Sequence, residues 1–256
     1  MADLAIIGGT GLTTLKNLEI RHRQVMHTPY GESSGPLLQG HLCNKDVVFI
    51  PRHGHAHTIP PHRVNYRANI WALRETGVRS IIAVAAVGGI GQDMPPGRLA
   101  FPDQIIDYTW SRQHTYFESD LDQVTHIDFT EPYSEPLRRL LIKAARQLKL
   151  EAVEHGTYAA TQGPRLETAA EIDRLERDGC SMVGMTGMPE AALARELGLG
   201  YASCAVVANW AAGRGTGPIS MQDIEANLVS GMAKVRRLLE TAIPMLEGAS
   251  CRESRP

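Results

Sequence analysis

The chain has 256 residues, 43% of them hydrophobic and 21% charged, which is enough apolar material for a sizeable core. The formal charge of −2, without any Lys or Arg block, argues against nucleic acid or a membrane surface as partner and favours a small molecule. The N-terminus lacks the pattern of a signal peptide, no apolar run approaches spanning length, and the four cysteines are scattered, so we expect a soluble cytoplasmic protein.

The first predicted elements alternate between strand and helix. An apolar run predicts a strand at 4–7, and a second short buried strand follows at 47–50. Helical spacing of apolar residues at 64–73 predicts a helix that ends at Gly77 as its C-terminal cap. Residues 78–87 then form a nearly continuous apolar strand, which completes one strand, helix, strand unit.

The same alternation continues to the end of the chain. Ser134 is predicted to cap a helix that has Pro136 in its first turn and continues to about Leu148. The further predicted elements are a strand at 156–161, a helix at 168–177, a strand at 181–185, a helix at 189–197, a strand at 201–208 and a helix at 220–246. This order predicts a single α/β domain over residues 1–247, with a mixed central sheet flanked by helices. Residues 248–256 are predicted to be a flexible tail.

Basic side chains are concentrated where the second strand ends. His53, His55 and His57 alternate, so they could face one side of an extended chain and hold a metal ion, as in a metal-dependent hydrolase. Alternatively, Arg52 as a planar fork and His53 as a second donor would bind phosphate. His114 and His126 fit no familiar ligand spacing that would complete a metal set. The residues alone leave both chemistries open and favour the anion.

Three glycine-bordered strand ends support an anion pocket. Residues 8–11 (Gly-Gly-Thr-Gly) follow the first strand, residues 84–89 end another, and residues 184–190 place Thr186 just before a helix. The first of these motifs fails the G-x-G-x-x-G spacing and no P-loop lysine follows it, so nicotinamide cofactors and nucleoside triphosphates are disfavoured. Together with Arg52 and His53, these strand ends predict a phosphate pocket.

These motifs, with residues 64–73 and the Gln-Gly-Pro-Arg of 162–165, resemble the trimeric purine nucleoside phosphorylase family, in its methylthioadenosine phosphorylase branch. The resemblance runs from about residue 4 to 246. It implies a phosphorylase/hydrolase-like fold and a homotrimer whose active site is shared between subunits. It also implies that inorganic phosphate, as co-substrate, attacks C1′ of a purine nucleoside, with no metal and no cofactor.

By the same resemblance, each predicted site residue receives a role. Those implied to hold phosphate are Thr10, Arg52, His53, Ala85, Ala86 and Thr186. Those implied to contact the nucleoside are Met185, Leu166, Glu167, Asn209, Trp210, Ala211, Met221, Ile224 and, from a neighbouring subunit, His126. Asn209, His53 and Arg52 form the implied catalytic set. Ala85 departs from a threonine common in the branch, which removes one phosphate-donating hydroxyl and leaves backbone contacts.

The base pocket departs from that branch as well. Its aminopurine-cleaving members carry two acidic residues in the loop after the penultimate strand, which in this chain reads Ala208-Asn209-Trp210-Ala211. An amide can donate to N7 and O6 of a 6-oxopurine, and Glu167 can accept its N1 proton, which adenine lacks. Met221 and Ile224 fall three apart on one helical face and would suit a 5′-methylthio group.

We therefore expect phosphorolysis of S-methyl-5′-thioinosine to hypoxanthine and 5-methylthioribose 1-phosphate. A broader inosine and guanosine phosphorylase and a methylthioadenosine phosphorylase remain alternatives within the family. From other classes, a metal-dependent hydrolase and a nucleoside-binding regulatory subunit without turnover also remain open.

Overall fold

The computed structural model describes residues 2–15, 17–119 and 121–246, so the predicted tail at 248–256 lies outside the described residues. The strands are β1 Leu4–Gly8, β2 Glu19–Gln24, β3 His27–Thr28, β4 Gly31–Glu32, β5 Leu37–Leu42, β6 Lys45–Pro51, β7 Ser80–Gly89, β8 Leu99–Ala100, β9 Gln104–Asp107, β10 Ala152–Val153, β11 Thr157–Ala160, β12 Cys180–Gly184 and β13 Gly200–Trp210. The helices are α1 Tyr66–Glu75, α2 Glu135–Gln147, α3 Ala169–Arg177, α4 Gly187–Glu196 and α5 Met221–Ala242, with 3-10 turns at Pro61–Arg63 and Ile243–Leu246.

The predicted elements are confirmed as β1, β6, β7, β11, β12, β13 and the five α-helices. Gly77 follows α1 with φ +86 and donates to the Arg74 carbonyl, as a C-terminal cap does. The predicted capping by Ser134 is wrong. Its side chain accepts no capping hydrogen bond, and its hydroxyl is buried without a partner.

The strands that the sequence analysis missed are short or lack apolar alternation. All but the last residue of β2 are exposed, so the strand carries no period-two pattern that would reveal it. β8 and β10 have two residues each, and β2 and β5 join the sheet as an antiparallel edge. Their pairing comes from hydrogen bonds to neighbouring strands, which a local pattern does not report.

The large sheet is mixed and divides beside β7. Its main path runs β10, β8, β13, β7, β1, β6, β5, β2, and β6, β1, β7 and β13 are parallel neighbours. β12 pairs antiparallel with the end of β7 and continues the sheet into β11 and β9. The carboxyl ends of the four parallel strands lie at one edge, where α/β sheets build their sites.

Helices cover both faces of this sheet. One apolar cluster joins the sheet to α2 and α5 through residues such as Leu137 and Leu238. The second joins it to α1 and α4 through residues such as Ile70 and Leu193. Both faces are therefore buried, as expected of the mixed central sheet of a single α/β domain. None of the helices within the described ranges combines the length and apolar character needed to cross a bilayer.

Candidate active site

A cavity of about 440 Å³ opens where β1, β6, β7 and β13 end. The residues predicted for the site that line it are Thr10, Arg52, His53, Ala85, Ala86, Leu166, Glu167, Met185, Thr186, Asn209, Ala211, Met221 and Ile224. Trp210 and His126 do not belong to the lining of the single chain. The fold thus brings thirteen of the fifteen predicted residues into one space.

The sheet has a gap beside β7 within this cavity. β1 pairs with the first four residues of β7, whereas β12 pairs with its last two. In the gap, Nη1 of Arg52 donates to the Val84 carbonyl at 2.9 Å. Because alternate residues of a strand direct their backbone polar groups to the same edge, Ala86 faces the gap and Ala85 faces β13. The Ala86 amide, and not that of Ala85, is therefore directed into the gap.

Arg52 is held by a buried ion pair that the sequence analysis missed. Its Nε and Nη2 each donate to one carboxylate oxygen of Glu190 at 2.7 Å, and Tyr201 Oη donates to the same carboxylate at 2.8 Å. Arg52 is 1% exposed and Glu190 0%. Burial opposes the charge on Arg52, but attraction and hydrogen bonding to Glu190 outweigh it and keep the pKa of Arg52 above its ordinary value.

This pair changes the role predicted for the Arg52 fork. A guanidinium has five N–H groups, of which two bind Glu190 and one binds the Val84 carbonyl. The other two are not used by these three bonds. The edge of the guanidinium that was predicted to bind phosphate through two hydrogen bonds binds the Glu190 carboxylate instead. A buried guanidinium requires such a compensating charge.

His53 lies beside Arg52 with its ring held by the following loop. Its Nδ1 is 2.8 Å from the Ile59 carbonyl oxygen, and the Ile59 N–H donates to the His53 carbonyl at 3.1 Å. Since a carbonyl only accepts, Nδ1 carries the ring hydrogen. Burial, with smaller contributions from Arg52 and His57, lowers the pKa of His53 to about 4, so the ring is neutral near pH 7. Its Nε2 is then an acceptor, which corrects the prediction that His53 is a second donor.

Two threonines predicted to bind phosphate also line this part of the cavity. Thr10 lies in the turn after β1 and lines the cavity. This turn can approach the gap closely because Gly9 has no side chain, and a side chain there would collide with the Val84 carbonyl. Thr186 follows β12 and is buried, and its N–H donates to Tyr158 Oη at 3.4 Å. Both residues line the cavity.

The amide and carboxylate predicted to bind the base are oriented by their neighbours. A bulge in β13 just before Asn209 shifts its register and places this residue opposite Gly88. Nδ2 of Asn209 donates to the Trp210 carbonyl at 2.7 Å, which leaves one amide hydrogen for a ligand. Oε1 of Glu167 accepts from Thr161 Oγ1 at 2.7 Å.

Trp210 and His126 lie outside the lining of the cavity in the single chain. Side chains alternate along a strand, so Trp210 points away from the face that Asn209 presents to the cavity, and only its carbonyl supports the site. Its predicted contact with the nucleoside is therefore corrected for the single chain. His126 is exposed, and its predicted contribution to a neighbouring subunit stays a prediction.

Apolar side chains form the solvent-accessible rim of the cavity. Leu166 is 42% exposed and Met221 62%, while Ile224 is half-buried. All three line the cavity. An apolar group extending from a ligand could pack here and remove this surface from water.

Arg112 is a buried residue that joins two loops of the cavity. Its Nη1 donates to the carbonyls of Met185 and Met188 at 2.8 and 2.6 Å. Its Nη2 donates to the carbonyls of Thr161 and Gln162 at 3.2 and 2.9 Å. Sequence reasoning missed Arg112 because a lone arginine in a loop carries no pattern that identifies its partners. Its place in the structure is that of a positioning residue.

Replacing Arg112 with lysine should raise KM for both nucleoside and phosphate about 10- to 100-fold, because the two loops carry Thr186 and Glu167. An ammonium has three donors and no planar fork, so it cannot serve four carbonyls in this geometry. Steady-state kinetics with each substrate varied would measure the effect. Arg139→Lys, at an exposed surface ion pair, is the matched control. A loss of stability with unchanged KM values would reduce Arg112 to a purely structural role.

The alternating histidines do not converge. His53 is buried, whereas His55 and His57 are exposed, and only His57 packs near the His53 ring, with centroids 4.8 Å apart. Across residues 2–15, 17–119 and 121–246, no three His, Cys, Asp or Glu side chains are grouped closely enough to hold a metal ion.

Comparison with known proteins links this chain to a family. A model of the phosphorylase superfamily matches residues 3–244. A protein of Pseudomonas syringae pv. tomato named probable S-methyl-5′-thioinosine phosphorylase is 56% identical, over 93% of this chain and 97% of its own. A 6-oxopurine nucleoside phosphorylase of Pyrococcus furiosus is 43% identical, over 96% of this chain and 94% of its own.

A solved structure shows the same architecture. Methylthioadenosine phosphorylase from Schistosoma mansoni, crystallised with adenine, superposes with a TM-score of 0.92 at 31% identity. The match covers 96% of this chain and 92% of that one. The fold similarity therefore extends over nearly the whole of both chains.

Proposed function

The chain belongs to the phosphorylase superfamily, and on that premise we propose that it cleaves S-methyl-5′-thioinosine with inorganic phosphate, releasing hypoxanthine and 5-methylthioribose 1-phosphate. The observation that carries the proposal is one cavity with three kinds of lining. Arg52 and the Ala86 amide can hold an anion, Asn209 and Glu167 can bind a base, and an apolar rim can take a methylthio group.

The lining accounts for the chemistry of phosphorolysis. A phosphate oxygen forms a bond to C1′ while the bond from C1′ to N9 breaks, and its electron pair leaves with the purine. Arg52 and the Ala86 amide align the nucleophile beneath the sugar. The free amide hydrogen of Asn209 stabilises the charge that develops on the departing base, which then takes a proton from solvent. Phosphate is the only co-reactant in this proposal, without metal or cofactor.

The base pocket favours a 6-oxopurine. Glu167, held by Thr161, presents a carboxylate that can accept the N1 proton of hypoxanthine, and adenine has no such proton. Asn209 can donate to N7 or O6, whereas a carboxylate at its position would repel O6. A site built around such hydrogen bonds rejects substrates that leave its polar groups unpaired.

We also propose that the enzyme is a cytoplasmic homotrimer with a shared active site. Exposed apolar side chains support a subunit interface, among them Trp110 at 66% and Val124 at 75%. Val124 precedes His126, the residue predicted to reach the 5′ pocket of a neighbour. Docking of that segment would cover the exposed Met221.

A substrate comparison with phosphate tests the proposal. We expect kcat/KM for S-methyl-5′-thioinosine to exceed that for inosine by about 10- to 100-fold, because a 5′-hydroxyl finds no partner on the apolar rim. Methylthioadenosine should be poorer still, because it has no N1 proton for Glu167. Release of the free base can be followed by absorbance, with and without phosphate.

The same assay separates the alternatives. The similarity to the 6-oxopurine nucleoside phosphorylase of Pyrococcus furiosus, at 43% identity, favours an inosine and guanosine phosphorylase as the second candidate. Equal rates for inosine and methylthioinosine would support that candidate. Faster cleavage of methylthioadenosine would contradict the base assignment. Base release without phosphate, abolished by a chelator, would indicate the metal-dependent hydrolase. Tight nucleoside binding without any turnover would indicate a regulatory subunit.

A further inference from the structure

His53 offers the anion site an acceptor, although its neighbours offer donors. The His53 ring is fixed twice to Ile59, through Nδ1 at 2.8 Å and through the backbone at 3.1 Å. This contact places a hydrogen on Nδ1, so in the neutral ring the lone pair of Nε2 is the polar group left for a ligand. Burial of the ring disfavours a second proton on His53 most strongly, and the charge of Arg52 and the neighbouring ring of His57 add to that effect.

The surrounding groups provide hydrogen bonds of the opposite kind. Two N–H groups of Arg52 are unassigned, the Ala86 amide faces the gap, and Thr10 and Thr186, whose hydroxyls can donate, line the same cavity. These groups suit unprotonated, negatively charged oxygens. An unprotonated oxygen next to Nε2 of His53 would instead face another acceptor. The two lone pairs would repel each other, and no hydrogen bond could form between these atoms.

We propose that His53 makes the anion site selective for a protonated oxyanion, with the P–OH of hydrogenphosphate donating to Nε2. Sulfate has the same tetrahedral shape and carries no proton at neutral pH, so the site discriminates against it. The proposal rests on the proposed function, which places phosphate beside His53. It also assigns the phosphate oxygens: the protonated one turns to His53, and an unprotonated, more nucleophilic one remains free to attack C1′.

Binding of phosphate and sulfate to the full-length enzyme tests this selectivity. Titration calorimetry at pH 7.5 and matched ionic strength, without nucleoside, should show sulfate binding about 10- to 100-fold more weakly than phosphate. In His53→Ala the ratio of phosphate affinity to sulfate affinity should fall to about threefold or less. Phosphate loses an acceptor for its P–OH group, and sulfate loses a repulsive contact. His53→Gln places an amide that can donate near the Nε2 position. It should therefore strengthen sulfate binding relative to phosphate more than His53→Ala does. His62→Ala, exposed and outside the cavity, is the matched control and should keep the wild-type ratio.

A second measurement does not depend on any variant. Nitrogen NMR of the His53 ring should show a hydrogen on Nδ1 and none on Nε2 in the free enzyme. A hydrogen on Nε2, sulfate binding as tightly as phosphate, or binding of neither anion would overturn the proposal. An unchanged ratio in both His53 variants would do the same.

Failure of the anion selectivity can be distinguished from failure of the proposed function. If phosphorolysis proceeds and sulfate competes as well as phosphate, the enzyme assignment stands and the selectivity by His53 fails. If no nucleoside consumes phosphate although phosphate binds in preference to sulfate, the function fails and the anion selectivity stands.

Discussion

Glu190→Ala should lower the free energy of unfolding by about 3–5 kcal/mol, because it leaves the buried charge of Arg52 without its partner. Both side chains are excluded from solvent, and the pair is bidentate at 2.7 Å. The substitution also removes the acceptor of the Tyr201 hydroxyl. Urea unfolding followed by circular dichroism would measure the change.

Two further variants separate charge from packing. Glu190→Gln keeps an acceptor for Arg52 and Tyr201 but not the charge, so its loss of stability should be smaller. Joint replacement of Arg52 by methionine and Glu190 by leucine removes both charges at similar volume. It should recover most of the stability while abolishing phosphate binding. A Glu190→Ala variant within about 1 kcal/mol of wild type would contradict the importance of the pair.

Asn209→Asp should lower kcat/KM for S-methyl-5′-thioinosine by about 100- to 1000-fold, because it replaces the donor to the departing base with a carboxylate. The carboxylate repels O6 of a 6-oxopurine, but it can accept from the exocyclic amine of adenine. Adding Glu167→Ala removes the acceptor for N1–H. The double variant should therefore cleave methylthioadenosine in preference to methylthioinosine, as steady-state assays on both nucleosides would show.

The KM for phosphate indicates whether these changes stay local. It should remain within about twofold of wild type, because the residues assigned to the anion are untouched. Gln222→Glu makes the same amide-to-acid change at an exposed residue outside the cavity, and it should leave the preference for methylthioinosine intact. If the double variant keeps that preference as well, the roles of Asn209 and Glu167 are wrong.

The part of the site that local sequence could predict depends on residues next to strand ends. Arg52 and His53 lie within two residues of the end of β6, and Thr10 and Thr186 lie two residues past the ends of β1 and β12, so strand periodicity and glycines were enough to group them. Glu190 was different. It lies in the first turn of a helix, where an acid commonly stabilises the helix dipole, and that local explanation concealed its pairing with Arg52.

By itself, the sequence determined the order of the principal elements and the α/β class, and it predicted an anion pocket. These follow from periodicity and from residue types beside strand ends, which are local, whereas the roles of an amide and a carboxylate at a base are implied by the family resemblance. Only the tertiary structure decided that Glu190 neutralises Arg52 across 138 residues, that Ile59 makes His53 an acceptor, and that Ala86 faces the gap. Each of these depends on which partner the folded chain brings into contact, and the same side chain can donate, accept or be neutralised according to that partner.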